Sequence, residues 1–313
     1  MQRRNFIAAA LLASLGKSAN LVKAMTNPVP LPQRRYRDNV DLSVVGFGGI
    51  ILMGMSQREA RRAVAEAVGR GVNYFDVAPS YGGGEAEEKL GPALAPYRKG
   101  VFLACKTMKR DARGAKAELD RSLRRLKTDR LDLYQFHAVT DLKEVDEIFA
   151  SGGALEAFVK GRDAGKFKYI GFSAHSEEAA LAMMHRFPFD SVLFPVNLAC
   201  YGKGNFGPSV IRMAKEKGVA RLALKMLARG PWPEGVKKTV PKAWYQPIED
   251  RDEARRAVRF TLSEEITAAI PPGDIRLFRL AMELAAEFVP LAPSEREEML
   301  ASRAGMNPLF PLH

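Results

Sequence analysis

The chain of 313 residues has only two cysteines and four histidines, and each scarcity removes a class of function. Cys105 and Cys200 cannot build a disulfide framework. With so few histidines they also lack any zinc-ligand spacing, so no metal is expected. The apolar run at the N-terminus, Phe6–Leu15, is ten residues long. That is short of the ~20 residues needed to cross a bilayer, so no stable membrane insertion is expected. Glycine (26) and proline (19) are not in excess. No low-complexity tract or tandem repeat is visible either, which argues against disorder and solenoid architectures. What remains is a chain 47% apolar, able to bury the core of one large domain or two ordinary ones.

The formal net charge of +12 raises the question of nucleic acid. Much of it is local. The first 24 residues hold Arg3, Arg4, Lys17 and Lys23 and no acid, leaving 44 basic against 36 acidic residues, or +8, in the rest. The remaining excess gathers in Lys106–Arg130, where Arg121, Arg124, Arg125 and Lys127 accompany the helical apolar series Ala115, Leu119, Leu123, Leu126. That pattern reads as the solvated face of an amphipathic helix, and no nucleic-acid partner is expected.

The N-terminal sequence MQRRNFIAAALLASLGKSANLVKA has the charged, apolar and small-residue layout of an export signal. Arg3-Arg4-Asn5-Phe6-Ile7 resembles the twin-arginine form. The expected organisation is a signal peptide over residues 1–24, a proline-rich linker over 25–35 and one folded domain over 36–313, with a terminal helix near Ser294–Ser302. The implied partner is the twin-arginine export machinery, and the implied destination is the periplasm or another extracytoplasmic space. A plain surface arm is the alternative for the first 24 residues.

From Leu42 the chain alternates. Strand-like runs lie at 43–49, 73–78, 101–107, 131–139, 168–174, 191–199, 220–227 and 266–272. Helical patterns lie near 57–70, 85–97, 111–127, 153–164, 177–186, 208–217, 250–263 and 274–288. Eight short, almost continuously apolar strands, each followed by a helix, predict an α/β fold of the (β/α)8 TIM-barrel type. The open doubly wound sheet is excluded by its fingerprint: in Gly46-Phe47-Gly48-Gly49-Ile50-Ile51 the third glycine falls on Ile51.

In a barrel, chemistry gathers at the C-terminal ends of the strands. Those ends carry Asp76, Lys106 and His137, spaced by 30 and 31 residues, which is about one repeat. Tyr81 follows Asp76 in the stretch NYFDVAPSYG. Singly these are a helix cap, a packing ring, a snorkelling lysine and a satisfied histidine. At equal height around one mouth they form a candidate active site.

From about residue 36 to 289 the chain resembles an aldo-keto reductase. The likeness rests on FDVAPSYG, CKT, LDRSLRRLKTDRLDLYQFHAV, GKFKYIGFSAHS and ITAAIPPG, in that order. It implies a catalytic tetrad of Asp76, Tyr81, Lys106 and His137. Tyr81 would give a proton to the alkoxide formed by hydride transfer to an aldehyde, ketone or sugar carbonyl. Lys106 would lower the Tyr81 pKa, Asp76 would hold Lys106, and His137 would orient the carbonyl.

The resemblance also implies a nicotinamide cofactor, NADP with NAD as the alternative. Its expected contacts are Gly48, Ser173, Asn197, Lys225, Arg229 and Gly273, with Arg276 and Arg279 either on the 2′-phosphate or on a solvated helix face. The pattern departs from the family at Ala174, at Leu198 and at Lys225, where an asparagine, a glutamine and an aromatic are usual. Residues 229–249 read as a long connection that either covers the site or packs on the rim. A second reading is a non-catalytic barrel acting as a cofactor sensor or partner subunit.

Overall fold

The computed structural model describes residues 30–202, 204–303, 307, 309 and 310. The expected signal peptide and the start of the expected linker lie outside them. The chain first makes a hairpin, β1 (Gln33–Arg37) and β2 (Val40–Ser43), turned by Asp38 in the left-handed region (φ +49°). The first strand therefore begins inside the stretch expected to be linker. The hairpin carries Tyr36 and Leu42 into a cluster with Tyr74, Phe102 and Tyr169. The Tyr36 ring lies 5.0 Å from Phe102 and 5.2 Å from Tyr169. Its hydroxyl meets Ser191 Oγ at 3.0 Å. These partners begin their strands, so the hairpin closes the N-terminal end of the barrel.

The barrel strands are β3 (Phe47–Gly48), β4 (Tyr74–Asp76), β5 (Phe102–Thr107), β6 (Leu133–Val139), β7 (Tyr169–Ala174), β8 (Ser191–Pro195) and β9 (Ala220–Leu224). A second hairpin of β10 (Ala228–Pro231) and β11 (Tyr245–Pro247) precedes the last barrel strand, β12 (Ala268–Ile270). The eight barrel strands pair in parallel in chain order. Val45 bridges Ala269, and Gly46 N donates to Ala269 O (2.9 Å), which joins the two ends of the sheet.

The helices are α1 (Gln57–Gly69), α2 (Glu85–Leu94), α3 (Ala112–Leu126), α4 (Leu142–Phe149), α5 (Ala154–Asp163) and α6 (Glu177–Arg186). They continue with α7 (Leu198–Tyr201), α8 (Pro208–Glu216), α9 (Arg251–Ser263), α10 (Ile275–Ala286) and the terminal α11 (Pro293–Ala301). The basic series expected on one helix lies on α3. Ala115, Leu119, Leu123 and Leu126 are buried, and Asp111 caps the start by accepting from Gly114 N at 2.7 Å. Its arginines are not all free in solvent: Arg125 reaches across to the buried Glu87 on α2 (3.2 Å).

Three elements depart from the sequence expectation. The first hairpin is hard to read in sequence because its first strand is largely arginine and its inward side carries few apolar residues, Tyr36, Leu42 and the partly buried Val40. Helix α4 inserts eight residues before the expected helix at 153–164. The connection at 229–249 is not featureless but holds the β10–β11 pair.

Candidate active site

Strand pleat puts residues two apart on one face. In β4 it sends Tyr74 and Asp76 to the barrel axis and Phe75 outward to the helices. The same parity turns Ala104 and Lys106 of β5 inward while Cys105 packs outside. In register, Asp76 lies beside Ala104, and Lys106 beside Gln135 of β6, so the charged groups share one end of the barrel.

His137 needs a further device. The β6–β7 register shifts between Phe136 and Val139, with Ala138 at φ +53°. Bulges of this kind re-aim a side chain at a strand end. This one is held by Ala138 N donating to Ser173 Oγ (2.8 Å) and Arg110 Nη2 donating to His137 O (2.7 Å). Tyr81 is set by the three glycines that follow it, all left-handed, at φ +63°, +64° and +106°. At Gly84 the left-handed φ, rather than space, calls for glycine, since the nearest atom to a Cβ there is the movable end of Arg125.

Lys106 Nζ lies at the centre of the site. It donates to Asp76 Oδ1 in a buried ion pair and stands 3.0 Å from the Tyr81 hydroxyl. The other Asp76 oxygen accepts from Gln135 Nε2 (3.1 Å) and Tyr74 OH (3.2 Å). The His137 ring meets Tyr81 edge-on at 5.7 Å, and Ser80 Oγ lies 3.4 Å from its Nδ1.

Burial alone would lower the Lys106 pKa, but Asp76 and Tyr81 outweigh it, so the ammonium is held more firmly than usual. For Tyr81, burial raises the phenol pKa and outweighs the opposing pull of Lys106. Lys106 thus pulls the phenol down as expected, and burial leaves the net pKa above the ordinary tyrosine value. The phenol keeps its proton at neutral pH. His137 is held well below the usual histidine range, by burial first and then by Lys106, and is neutral. In the tautomer that carries its hydrogen on Nε2, the neutral imidazole accepts from Ser80 at Nδ1 and presents a donor to a substrate oxygen.

The four side chains open onto a cavity of about 240 Å³. The β10–β11 hairpin forms its roof through Lys242 to Tyr245, and Lys242 Nζ donates to Ile51 O across the mouth (3.0 Å).

The sequence model of the aldo/keto reductase family matches residues 44–275. The chain belongs to the aldo/keto reductase family. Aldo-keto reductase YhdN of Bacillus subtilis (strain 168) is 30% identical over 203 residues, covering 61% of this chain and 59% of that protein. The match thus takes in less than two thirds of that relative's own length. Among solved structures, the holo form of an aldo-keto reductase from Bacillus halodurans has a TM-score of 0.71 at 24% identity, over 90% of this chain and 99% of its own. An aldo-keto reductase from Klebsiella pneumoniae in complex with NADPH gives 0.66 at 19% identity, over 88% and 96%. These two likenesses concern the fold.

Aldo/keto reductases use nicotinamide cofactors, and the cavity suits the nicotinamide end of one. Its walls are apolar at Ile50, Leu193, Leu224 and Ile270, with Ser173 as a polar point. Gly273 borders it at a place where a Cβ would collide with Ile50 (2.3 Å). Of the expected cofactor residues, Gly48, Ser173, Lys225 and Gly273 line the cavity. Asn197 does not: it caps α7, with Oδ1 accepting from Cys200 N (2.9 Å), and its buried Nδ2 has no partner among the described residues. Arg229 turns away to Glu253.

The two expected phosphate contacts are already engaged. Arg279 grips Glu66 of α1 at 2.7–3.1 Å through Nε and Nη2. Arg276 pairs with Asp274 at 3.1 and 3.2 Å. That same Asp274 caps α10.

The sequence alone does not single out Tyr74, Gln135 or His175, whereas Trp244 belongs to the 229–249 connection expected to cover the site or pack on the rim. The first two were findable, since each lies two residues before a tetrad member on an inward face. His175 comes from a loop that only the folded chain brings to the mouth.

Proposed function

We propose that the protein is a nicotinamide-dependent carbonyl reductase in which Tyr81 is the proton donor. The observation that carries this is the double engagement of Lys106 Nζ with Asp76 and with the Tyr81 hydroxyl at the floor of the cavity. A carbonyl oxygen held between Tyr81 and His137 accepts hydrogen bonds from both. When bound, the dihydronicotinamide supplies hydride to the carbonyl carbon. As negative charge grows on the oxygen, Tyr81 hands over its proton, and Lys106 stabilises the phenolate left behind. Asp76, fixed by Gln135 and Tyr74, keeps Lys106 charged and aimed. Tyr81 regains its proton from solvent after the alcohol leaves.

The test is a turnover screen of small aldehydes, ketones and sugars with NADPH and NADH. A shift in nicotinamide fluorescence with no turnover on any carbonyl would favour the sensor reading instead.

For the cofactor, we propose NADP with Arg276 as its 2′-phosphate contact, because Arg276 is the more exposed of the two arginines, 62% against 48% for Arg279. Asp274 opposes that role by neutralising Arg276. Asp274→Asn keeps the helix cap and removes the charge. It is expected to tighten NADPH binding about tenfold relative to NADH, while Arg276→Ala shifts the ratio the other way. Fluorescence titration measures both, and an unmoved ratio in both variants makes Arg276 a plain surface residue.

We further propose export by the twin-arginine route, carried out with the cofactor already bound because the cell envelope lacks a free nicotinamide pool. Replacing Arg3 and Arg4 by Lys is expected to leave the protein in the cytoplasm on fractionation. Normal export of that variant sinks the proposal.

A further inference from the structure

The cavity holds a second buried ammonium that the chemistry above does not use. Lys225 follows β9 in a left-handed conformation (φ +61°), which L side chains rarely adopt. It is 7% exposed and lines the cavity. Its Nζ lies 3.0 Å from His175 Nε2, 5.5 Å from the centre of the Trp244 ring and 5.3 Å from that of Phe310. His175 in turn stacks on Phe310 at 5.3 Å.

Among the described residues no carboxylate pairs with Lys225. Its titratable neighbours are neutral. Burial lowers His175 to about 3, pushes the Cys200 thiol up to about 12 and raises the Tyr245 phenol. Lys225 itself is lowered by burial to about 8, so it remains largely protonated at neutral pH.

Lys106 offers the contrast, for it is just as buried but ion-paired with Asp76. Buried charges are normally paired. Aromatic faces attract a cation but do not neutralise it. Together Lys106, Lys225 and Lys242 border this cavity against one carboxylate, Asp76, which is already taken.

We propose that Lys225, oriented by His175, binds an anionic oxygen group of the substrate, which is therefore a carbonyl compound carrying a carboxylate or a phosphate ester. This rests on the reductase reading of the same cavity. The carbonyl is held at Tyr81 and His137, and the anion at Lys225 under the Trp244 roof.

The test uses an aldehyde carrying a carboxylate, its methyl ester and the matching phosphate ester. Wild type is expected to favour one or both charged compounds by about 10–100-fold in kcat/KM, mainly through KM, the size of a charge-assisted hydrogen bond. The larger preference identifies carboxylate or phosphate. Lys225→Met is expected to collapse that preference, and Lys225→Arg to keep most of it.

Calorimetry with oxamate and with inorganic phosphate gives a readout independent of turnover. One of these anions is expected to bind wild type and to lose affinity in Lys225→Met, with circular dichroism confirming the fold.

Equal losses on charged and uncharged substrates overturn the proposal. So does a fall in dinucleotide affinity as large as the loss on the charged aldehyde, which assigns the cation to the cofactor's phosphates. If the ester is reduced but no anion preference appears, the anion site fails while the reductase stands. If the anion binds through Lys225 but no carbonyl is reduced, the reductase reading fails instead.

Discussion

Replacing Tyr81 by Phe is expected to lower turnover by about 10²–10⁴-fold, the range for losing a positioned acid. The ring keeps its edge contact with His137, and its one lost hydrogen bond is to Lys106, which retains Asp76. The stability cost is therefore small, about 0.5–1.5 kcal/mol. Cofactor titration and thermal unfolding should stay close to wild type while kcat falls. A variant that unfolds easily but turns over normally in its folded fraction would make Tyr81 a packing residue and remove the main support for the reductase reading.

Lys106→Met is expected to be as damaging to turnover and far worse for stability. It leaves Asp76, 2% exposed, without its cation. Breaking a buried pair from one side costs about 3–5 kcal/mol. Adding Asp76→Asn removes the stranded charge, so the double variant should regain stability on denaturant titration without regaining activity. Burial already raises the Tyr81 phenol, and without Lys106 nothing offsets it, so the phenolate formed by proton transfer goes unsupported. Combining Lys106→Met with Tyr81→Phe should cost little more turnover than either alone, because the two act as a unit. Additive losses, or a double charge-removal variant that turns over normally, would show that the ion pair is only structural.

The barrel and its reactive floor were legible because both follow from local rules. Near-continuous apolar strands gave the closed parallel sheet, and strand parity with one-repeat spacing gave Asp76, Lys106 and His137. The cofactor side was less legible. Its contacts depend on which groups meet across loops, and spacing carries no information about partners. Arg276 and Arg279 looked available in a helix pattern, yet Asp274 and Glu66 hold them. Asn197 stands at a strand end but is spent on capping α7. The downward pull of Lys106 on Tyr81 is legible in sequence, whereas the burial that outweighs it is not.

The seam between Val45 and Ala269 has a consequence for synthesis. The first barrel strand cannot find its second neighbour until almost the whole chain has left the ribosome, and the stopper residue Tyr36 likewise waits for Ser191. Contacts this distant in sequence form slowly. A growing chain therefore spends most of its translation with an open sheet edge, and it gains the residues of its reactive floor, the last of them His137, well before it gains the last stave that closes it.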